Sequence, residues 1–233
     1  MKTLFLLLTL TSLSFSQSKQ IVFVLADSFD STSAKLVRYE KVGDIYLQIS
    51  KPINVNLGKK GLAWGLSDYK FKKPSFTPIK QEGDKKAVVG VFALSKIYTY
   101  HDFIKTKMPY EKSTNQHICI DDTKSNNYNK IIKTKNKKKY SSFENMLLKN
   151  ETYEYVIVVQ HNKKQVEKSG SCIFLHVQNP QKKQTSGCTS MKKNHMIKIV
   201  QWLDINKEPI LIQTPKKACF SFKKEYPFIN CNL

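Results

Sequence analysis

Apolar residues along much of the chain follow the two-residue alternation, or the short β-branched runs, that are typical of β-strands. The strongest run is YVIVVQ at 155–160. The same pattern predicts further strands at 21–25, 35–40, 44–50, 87–94, 170–177 and 209–213. The arms 35–40 and 44–50 predict a hairpin whose turn ends at Gly43, with Ile45, Leu47 and Ile49 on one face of its second arm.

Helical signals are confined to two segments. Ser141 and Glu144 form an S-x-x-E capping box, which predicts a helix over 141–150. Apolar residues at helical spacing predict a second helix over 194–204. The chain is therefore predicted to be mainly β with a few helices, and it contains no internal repeat or long linker that would divide it.

The composition is that of a folded and strongly basic protein. The 233 residues are 40% hydrophobic, and 39 basic against 18 acidic residues give a net charge of +21. This composition excludes a mostly disordered chain. Arg38 is the only arginine. Because nucleic-acid readers rely on arginine for bidentate contacts, we expect no nucleic-acid partner, and attraction to an anionic cell envelope explains the charge better.

The first sixteen residues have the pattern of a secretory signal peptide. Lys2 precedes an apolar run that begins at Leu4, and Ser14-Phe15-Ser16 is a small-x-small cleavage site. The run is shorter than the roughly 20 residues that cross a membrane. We therefore expect a signal peptide at 1–16 and a single mature domain at 17–233, with no membrane span after cleavage, secreted to the periplasm or cell wall.

Five cysteines are present: Cys119, Cys172, Cys188, Cys219 and Cys231. In an exported protein this odd number favours two disulfides and one free thiol. Cys219 and Cys231 flank a short loop in the C-terminal tail and make a plausible pair. Cys119 and Cys172 either form the other pair or remain buried thiols. Cys188 is then the cysteine without a disulfide partner.

The candidate chemistry lies between residues 170 and 191. His176 ends a predicted strand, and Cys188 follows twelve residues later at the end of the turn Thr185-Ser186-Gly187. Cysteine and histidine are the nucleophile and base that covalent acyl transfer requires, and a thiol near a histidine and a helix N-terminus has its thiolate favoured. The spacing alone is a weak signal. Because no C-x-x-C or H-x-x-x-H pair is present, we expect no metal and no cofactor.

The segments GSCIFLHV and TSGCTSM resemble the L,D-transpeptidase catalytic domain (YkuD-like) family. That family has a histidine at a strand end, followed after about a dozen residues by a small-x-Gly-Cys turn. Further blocks extend the resemblance over most of 20–213: 61–65, 80–84 with 90–92, 119–122 with 128–129, 142–146, and 202–204.

The resemblance implies a β-sandwich or barrel with a groove over Cys188. It implies Cys188 as the nucleophile and His176 as the general base. Backbone N–H groups around Gly187 and Cys188, in the turn that includes Ser186, would form the oxyanion hole. Asp121, Asp122, Tyr128 and Asn129 are polar residues that could line the groove and bind substrate, or equally cap a turn. Thr185 is a further candidate for substrate binding.

Two positions depart from the family pattern. Ser186 occupies the place where many members have histidine, and Thr189-Ser190-Met191 follow the cysteine where many have an arginine. Lys192 or Lys193 could replace that arginine.

The resemblance implies an exported L,D-transpeptidase that acts on peptidoglycan stem peptides through a thioacyl-enzyme. Two alternatives stay open. One is an L,D-carboxypeptidase that trims tetrapeptides to tripeptides, and the other is a catalytically inert peptidoglycan-binding module. The sequence makes no prediction of the oligomeric state.

Overall fold

A computed structural model of the protein describes residues 18–69, 71, 73 and 75–233. The predicted signal peptide at 1–16 lies outside these residues. The strands are β1 (Gln20–Ala26), β2 (Ser33–Val42), β3 (Ile45–Gln48), β4 (Ile53–Asn56), β5 (Leu62–Trp64), β6 (Ala87–Thr99), β7 (Tyr110–Lys112), β8 (His117–Ile120), β9 (Ile131–Lys133), β10 (Phe143–Asn145), β11 (Tyr155–Val159), β12 (Phe174–Val177), β13 (Thr189–Met191) and β14 (Ile210–Pro215). The α-helices of the described residues are α1 (Lys193–Trp202) and α2 (Lys216–Lys223), and short 3₁₀ turns lie at Lys137–Lys139, Glu151–Tyr153 and Ile205–Lys207.

Eight of the strands close into a barrel. Their order is β1-β14-β6-β11-β12-β13-β4-β2, and β2 pairs with β1 to complete the ring. β1 is parallel to β14 and antiparallel to β2. Because the ring is closed, each of these eight strands pairs with a neighbouring strand on both sides. The predicted mainly β fold is confirmed.

The barrel encloses the main hydrophobic core. All seven residues of β1 are buried, in accord with its β-branched sequence. The helix α1 contributes Met196, Ile199 and Val200 to this core. On α2, Phe222 stacks on Trp64 with ring centroids 5.7 Å apart. The core thus fixes β12 and β13 from inside, and these two strands carry the candidate chemistry.

A second sheet of three strands, in the order β10-β8-β9, lies beside the barrel. It includes the segment for which the capping box predicted a helix over 141–150, and that prediction is wrong. Phe143, Glu144 and Asn145 instead pair antiparallel with Ile120, Cys119 and Ile118 of β8. Long-range strand pairing outweighs the local helix signal, which is worth only about 1 kcal/mol.

The other predicted elements are confirmed, with changes at their ends. The helix predicted at 194–204 is α1, and the strand predicted at 170–177 begins only at Phe174. The hairpin turn is shorter than expected, because Val42 pairs with Ile45 and leaves two residues between the arms. Its second arm is largely exposed to solvent. No helix among the described residues is long and apolar enough to cross a membrane.

Both candidate disulfides are present. Cys119 is bonded to Cys172, and Cys219 to Cys231. Cys188 is a free, buried thiol. The structure therefore has the two disulfides and one free thiol that the cysteine count favoured.

Candidate active site

A cavity of about 530 Å³ opens over Cys188. Its walls come from the loop at 80–85, strand β10, the 3₁₀ turn Glu151–Tyr153, strand β12 and the turn at 184–188. Cys188 and His176 both line it. The barrel and the small sheet thus meet at one polar cavity that holds the predicted nucleophile and base.

The hydroxyl of Thr185 bridges two residues of the turn that ends at Cys188. Thr185 Oγ1 accepts a hydrogen bond from the Gly187 N–H (3.1 Å) and donates one to the Cys188 carbonyl (2.6 Å). The thiol of Cys188 donates to the carbonyl oxygen of Cys172 at 3.4 Å. In this state the Gly187 N–H, one of the predicted oxyanion donors, is therefore bonded to Thr185.

His176 lies two residues from Phe174 on β12. The parallel pairing of β12 with β13 sets His176 beside Ser190 and Leu175 beside Thr189, the residue that follows Cys188. His176 Nδ1 lies 2.8 Å from the Val177 carbonyl oxygen. Because a carbonyl only accepts, Nδ1 carries the proton and Nε2 of the neutral ring is left as an acceptor. The ring also contacts Tyr153 edge to face, with centroids 5.3 Å apart.

Burial keeps both the thiol and the imidazole neutral at rest. Burial, and then the charge of Glu144, raise the pKa of Cys188, while the backbone of Phe174 and the Lys80 ammonium act in the opposite direction but less strongly. Burial lowers the pKa of His176 to about 4, against the carbonyls of Val177 and Thr152.

The predicted bias toward a thiolate is therefore wrong for the resting state. Strand β13 separates Cys188 from α1, which begins only at Lys193, so the helix N-terminus is not adjacent to the thiol. Desolvation of a buried charge outweighs the remaining favourable contacts.

One side of the cavity is acidic. Glu82, Asp121 and Glu144 all line it. Glu144 accepts a hydrogen bond from the Tyr153 hydroxyl (2.8 Å), and Glu82 accepts from Tyr128 (2.5 Å) and Ser171 (2.6 Å). Burial, with the charges of Asp121 and Glu82, raises the pKa of Glu144 to about 7, although the Tyr153 bond lowers it.

The opposite charge is supplied by Lys80. This lysine is 5% exposed and lines the cavity. Its ammonium forms an ion pair with Asp84 and donates to the Gln81 carbonyl at 3.2 Å. It lies 3.5 Å from the position that a Cβ at Gly187 would occupy. The buried ammonium of Lys80 is therefore next to the turn that carries Cys188.

The structure brings together five of the predicted site residues and leaves three engaged elsewhere. Cys188, His176, Thr185, Ser186 and Gly187 line the same cavity. Asp122 accepts from the backbone N–H groups of Lys124 and Ser141, and Asn129 bonds to Cys172, His161 and Asn162. Tyr128 is buried, does not line the cavity itself, and donates its hydroxyl hydrogen bond to Glu82, which does. For Asp122 the structure thus shows the turn cap that the sequence left as an alternative.

The suggested replacements for the family's arginine do not face Cys188. Lys192 and Lys193 line a separate cavity, and Lys193 pairs with Glu154 at 2.7 Å. Lys80 is the buried lysine beside the cysteine turn. Sequence reasoning did not single out Lys80, Glu82 or Tyr153, and it assigned Glu144 to a helix cap and not to the site. The blocks at 80–84 and 142–146 contain Lys80, Glu82 and Glu144. Among the described residues, no group of three or more histidine, cysteine, aspartate or glutamate side chains is arranged to hold a metal ion.

A free buried thiol and a neutral imidazole in one cavity of a β barrel define a candidate site for cysteine-based acyl transfer. Comparison with protein families matches residues 30–212 to YkuD, the L,D-transpeptidase catalytic domain. The chain belongs to this family. The resemblance expected from the sequence is confirmed.

Two solved structures are similar to the chain, each at 13% sequence identity. Bd1075 from Bdellovibrio bacteriovorus matches 85% of this chain and 52% of its own, with a TM-score of 0.43. The helical cell shape determining protein Pgp2 from Campylobacter jejuni matches 84% of this chain and 48% of its own, with a TM-score of 0.41. The chain thus spans about half the length of both proteins. No curated protein matches it.

Replacing Glu144 with glutamine is expected to make Cys188 more reactive. The carboxylate disfavours the thiolate, so its loss should lower the pKa of the thiol and move the alkylation profile to lower pH. Glutamine can still accept the Tyr153 hydrogen bond. At pH 8, where Glu144 is mostly ionised, we expect iodoacetamide to react roughly three- to tenfold faster with the variant.

The matched control is Asp68→Asn, which removes an exposed carboxylate that pairs with Lys163. Its alkylation profile should coincide with that of the unmodified protein. An unchanged profile in Glu144→Gln would show that this carboxylate does not act on the thiol.

Proposed function

We propose that the protein is an exported L,D-transpeptidase that acts on peptidoglycan stem peptides. The observation that supports this most directly is the shared cavity of Cys188 and His176 in a member of the L,D-transpeptidase catalytic domain family. In this proposal residues 1–16 are a signal peptide and 17–233 a single catalytic domain that works in the periplasm or cell wall.

The neutral state of both groups supports a general-base role for His176. An imidazole whose Nδ1 proton is held by Val177 has an unprotonated Nε2 that can take the thiol proton as the sulfur attacks. The proton thus moves during the reaction and not before it. The nucleophile then escapes the cost of an isolated buried charge in the resting enzyme.

The proposed reaction has two steps. Cys188 Sγ attacks the carbonyl of the meso-diaminopimelate residue that precedes the terminal D-Ala, and His176 receives the thiol proton. The C–N bond breaks, His176 returns the proton to the amine of D-Ala, and a thioester remains. In the second step an amine of a neighbouring stem attacks the thioester, forms the new amide and releases the thiol.

Two alternatives share the same residues. If water resolves the thioester, the protein is an L,D-carboxypeptidase that converts tetrapeptide to tripeptide. If Cys188 does not react, it is a peptidoglycan-binding module, for which the departures at Ser186 and after Cys188 are the motivating observation.

Incubation of the mature protein with disaccharide-tetrapeptide, with and without an excess of acceptor amine, tests the proposal. Mass spectrometry should show crosslinked dimers or exchange of the terminal D-amino acid, absent in Cys188→Ala. Tripeptide and free D-Ala alone would identify a carboxypeptidase. Substrate left unchanged by both proteins, with binding retained, would replace the enzyme by the binding module.

A further inference from the structure

The Cys119–Cys172 disulfide joins two walls of the cavity. Cys119 lies on β8, and its register partner on β10 is Glu144. Cys172 precedes β12, and its carbonyl accepts the hydrogen bond of the Cys188 thiol. One covalent bond therefore connects the pair of strands β8 and β10, which carries Glu144, to the residue that contacts the sulfur of Cys188.

Cys172 has a backbone conformation that its neighbours must maintain. Its φ of +54° lies in the left-handed region, which costs an L-residue about 1–2 kcal/mol. The Asn129 side chain accepts from the Cys172 N–H at 2.9 Å, while its own amide donates to the carbonyls of His161 and Asn162. The disulfide fixes the side chain, and this hydrogen bond fixes the backbone. The direction of the Cys172 carbonyl, and hence its bond to Cys188, follows from both.

The small sheet depends on such links more than the barrel does. In the described part of the chain its three strands pair only with one another and with no strand of the barrel. The Tyr153–Glu144 hydrogen bond and the disulfide both bridge from this sheet to the region of β12. Without the disulfide, only non-covalent contacts and the continuous backbone would hold β8 and Glu144 against the region of β12.

We propose that the Cys119–Cys172 disulfide is a positioning element of the active site, so that its reduction lowers turnover while the barrel stays folded. This inference rests on the proposed transpeptidase or carboxypeptidase activity. The chemical step is ordinary: a dithiol such as dithiothreitol gives two electrons and two protons, the S–S bond breaks, two thiols form, and the reductant becomes a cyclic disulfide.

The second disulfide provides a matched comparison. Cys219–Cys231 joins α2 to the C-terminal tail and packs with the barrel core. Neither cysteine lines the cavity over Cys188. All four of these cysteines are buried, so removing either disulfide tests the effect on general stability. Only the Cys119–Cys172 disulfide lies at the candidate site.

The experiment compares the double variants Cys119→Ser/Cys172→Ser and Cys219→Ser/Cys231→Ser with the unmodified protein. We expect the first to lose turnover of disaccharide-tetrapeptide by about tenfold or more, because small displacements of reacting groups are costly. The second should stay within about twofold, a change too small for a catalytic effect. Treatment of the unmodified protein with dithiothreitol should reproduce the first result, with circular dichroism showing that the fold persists.

Alkylation of Cys188 separates positioning from a loss of folded protein. Opening the wall hydrates the thiol, so iodoacetamide should react faster with Cys119→Ser/Cys172→Ser, and its pH profile should move to lower pH, while turnover falls. This readout does not require substrate turnover. If the unmodified protein has no turnover, the proposed function fails, and the alkylation profile alone decides whether the disulfide shields the thiol.

Equal turnover and equal alkylation profiles in the unmodified protein and Cys119→Ser/Cys172→Ser would overturn the proposal. If that variant does not fold, Cys219→Ser/Cys231→Ser decides instead, since Cys119–Cys172 is then the one disulfide of the described residues that dithiothreitol can reduce. Its reduction should raise the alkylation rate of Cys188, read by peptide mapping, and lower turnover. Equal rates before and after reduction would equally reject the inference.

Discussion

Replacing Cys188 with serine is expected to lower turnover by at least about 10³-fold, because a buried hydroxyl is a far weaker nucleophile than a thiol. The serine side chain is only slightly smaller than that of cysteine, and its hydroxyl can keep the hydrogen bond to the Cys172 carbonyl. The expected loss is therefore one of chemistry, with the cavity retained. Initial rates of D-Ala release from disaccharide-tetrapeptide measure it.

The replacement His176→Gln should cause a loss of similar size, since the thiol would keep its raised pKa and lose its base. The two residues act on one step, so the double variant Cys188→Ser/His176→Gln should be no slower than the worse single variant. His101→Gln is the control: this histidine pairs with Glu154 and its side chain is 45% exposed. Turnover of His176→Gln within threefold of the unmodified protein would remove His176 from the mechanism.

Replacing Gly61 with alanine is expected to destabilise the fold by at least about 3 kcal/mol. Gly61 has a φ of +83°, and a Cβ there would lie 2.0 Å from the Phe29 carbonyl oxygen and 2.8 Å from the Asp30 Cα. Both obstacles are backbone atoms, so relief requires movement of the chain itself. Urea unfolding followed by circular dichroism gives the change in the free energy of unfolding.

Gly43→Ala separates the two causes. Gly43 has a φ of +60°, but nothing lies within 4 Å of the added Cβ. It should therefore lose only the conformational part, about 1 kcal/mol. If both variants lose the same free energy of unfolding, the loop at Phe29 moves without cost and the close approach at Gly61 does not contribute to the destabilisation.

The segments 141–150 and 194–204 show what local sequence can and cannot predict. The second forms a helix because its apolar residues fall on one face that the barrel covers. The first carries an equally regular capping signal, yet Glu144 pairs with Cys119 in a strand. That pairing depends on a partner more than twenty residues away, which no local pattern contains.

The candidate site divides in the same way. Cys188 and His176 could be found because they lie near one another in the chain, each at the end of a recognisable segment. Lys80 and Tyr153 reach the cavity from distant loops, and Glu144 reaches it through the register of the small sheet. The electrostatic state of the thiol follows from burial by these elements, so the expectation of a thiolate, made from the sequence, is wrong for the resting protein.

Closure of the barrel has a consequence for how the chain is made. Ile21 of β1 pairs with Ile210 of β14, so the closed ring depends on contact between the first and last strands of the described residues. Such non-local contacts slow folding, because a long loop must close before they form. A growing or truncated chain that ends before β14 has two open sheet edges, at β1 and at β6, and both are templates for aggregation. Only when β14 has formed and paired are both of these open edges covered.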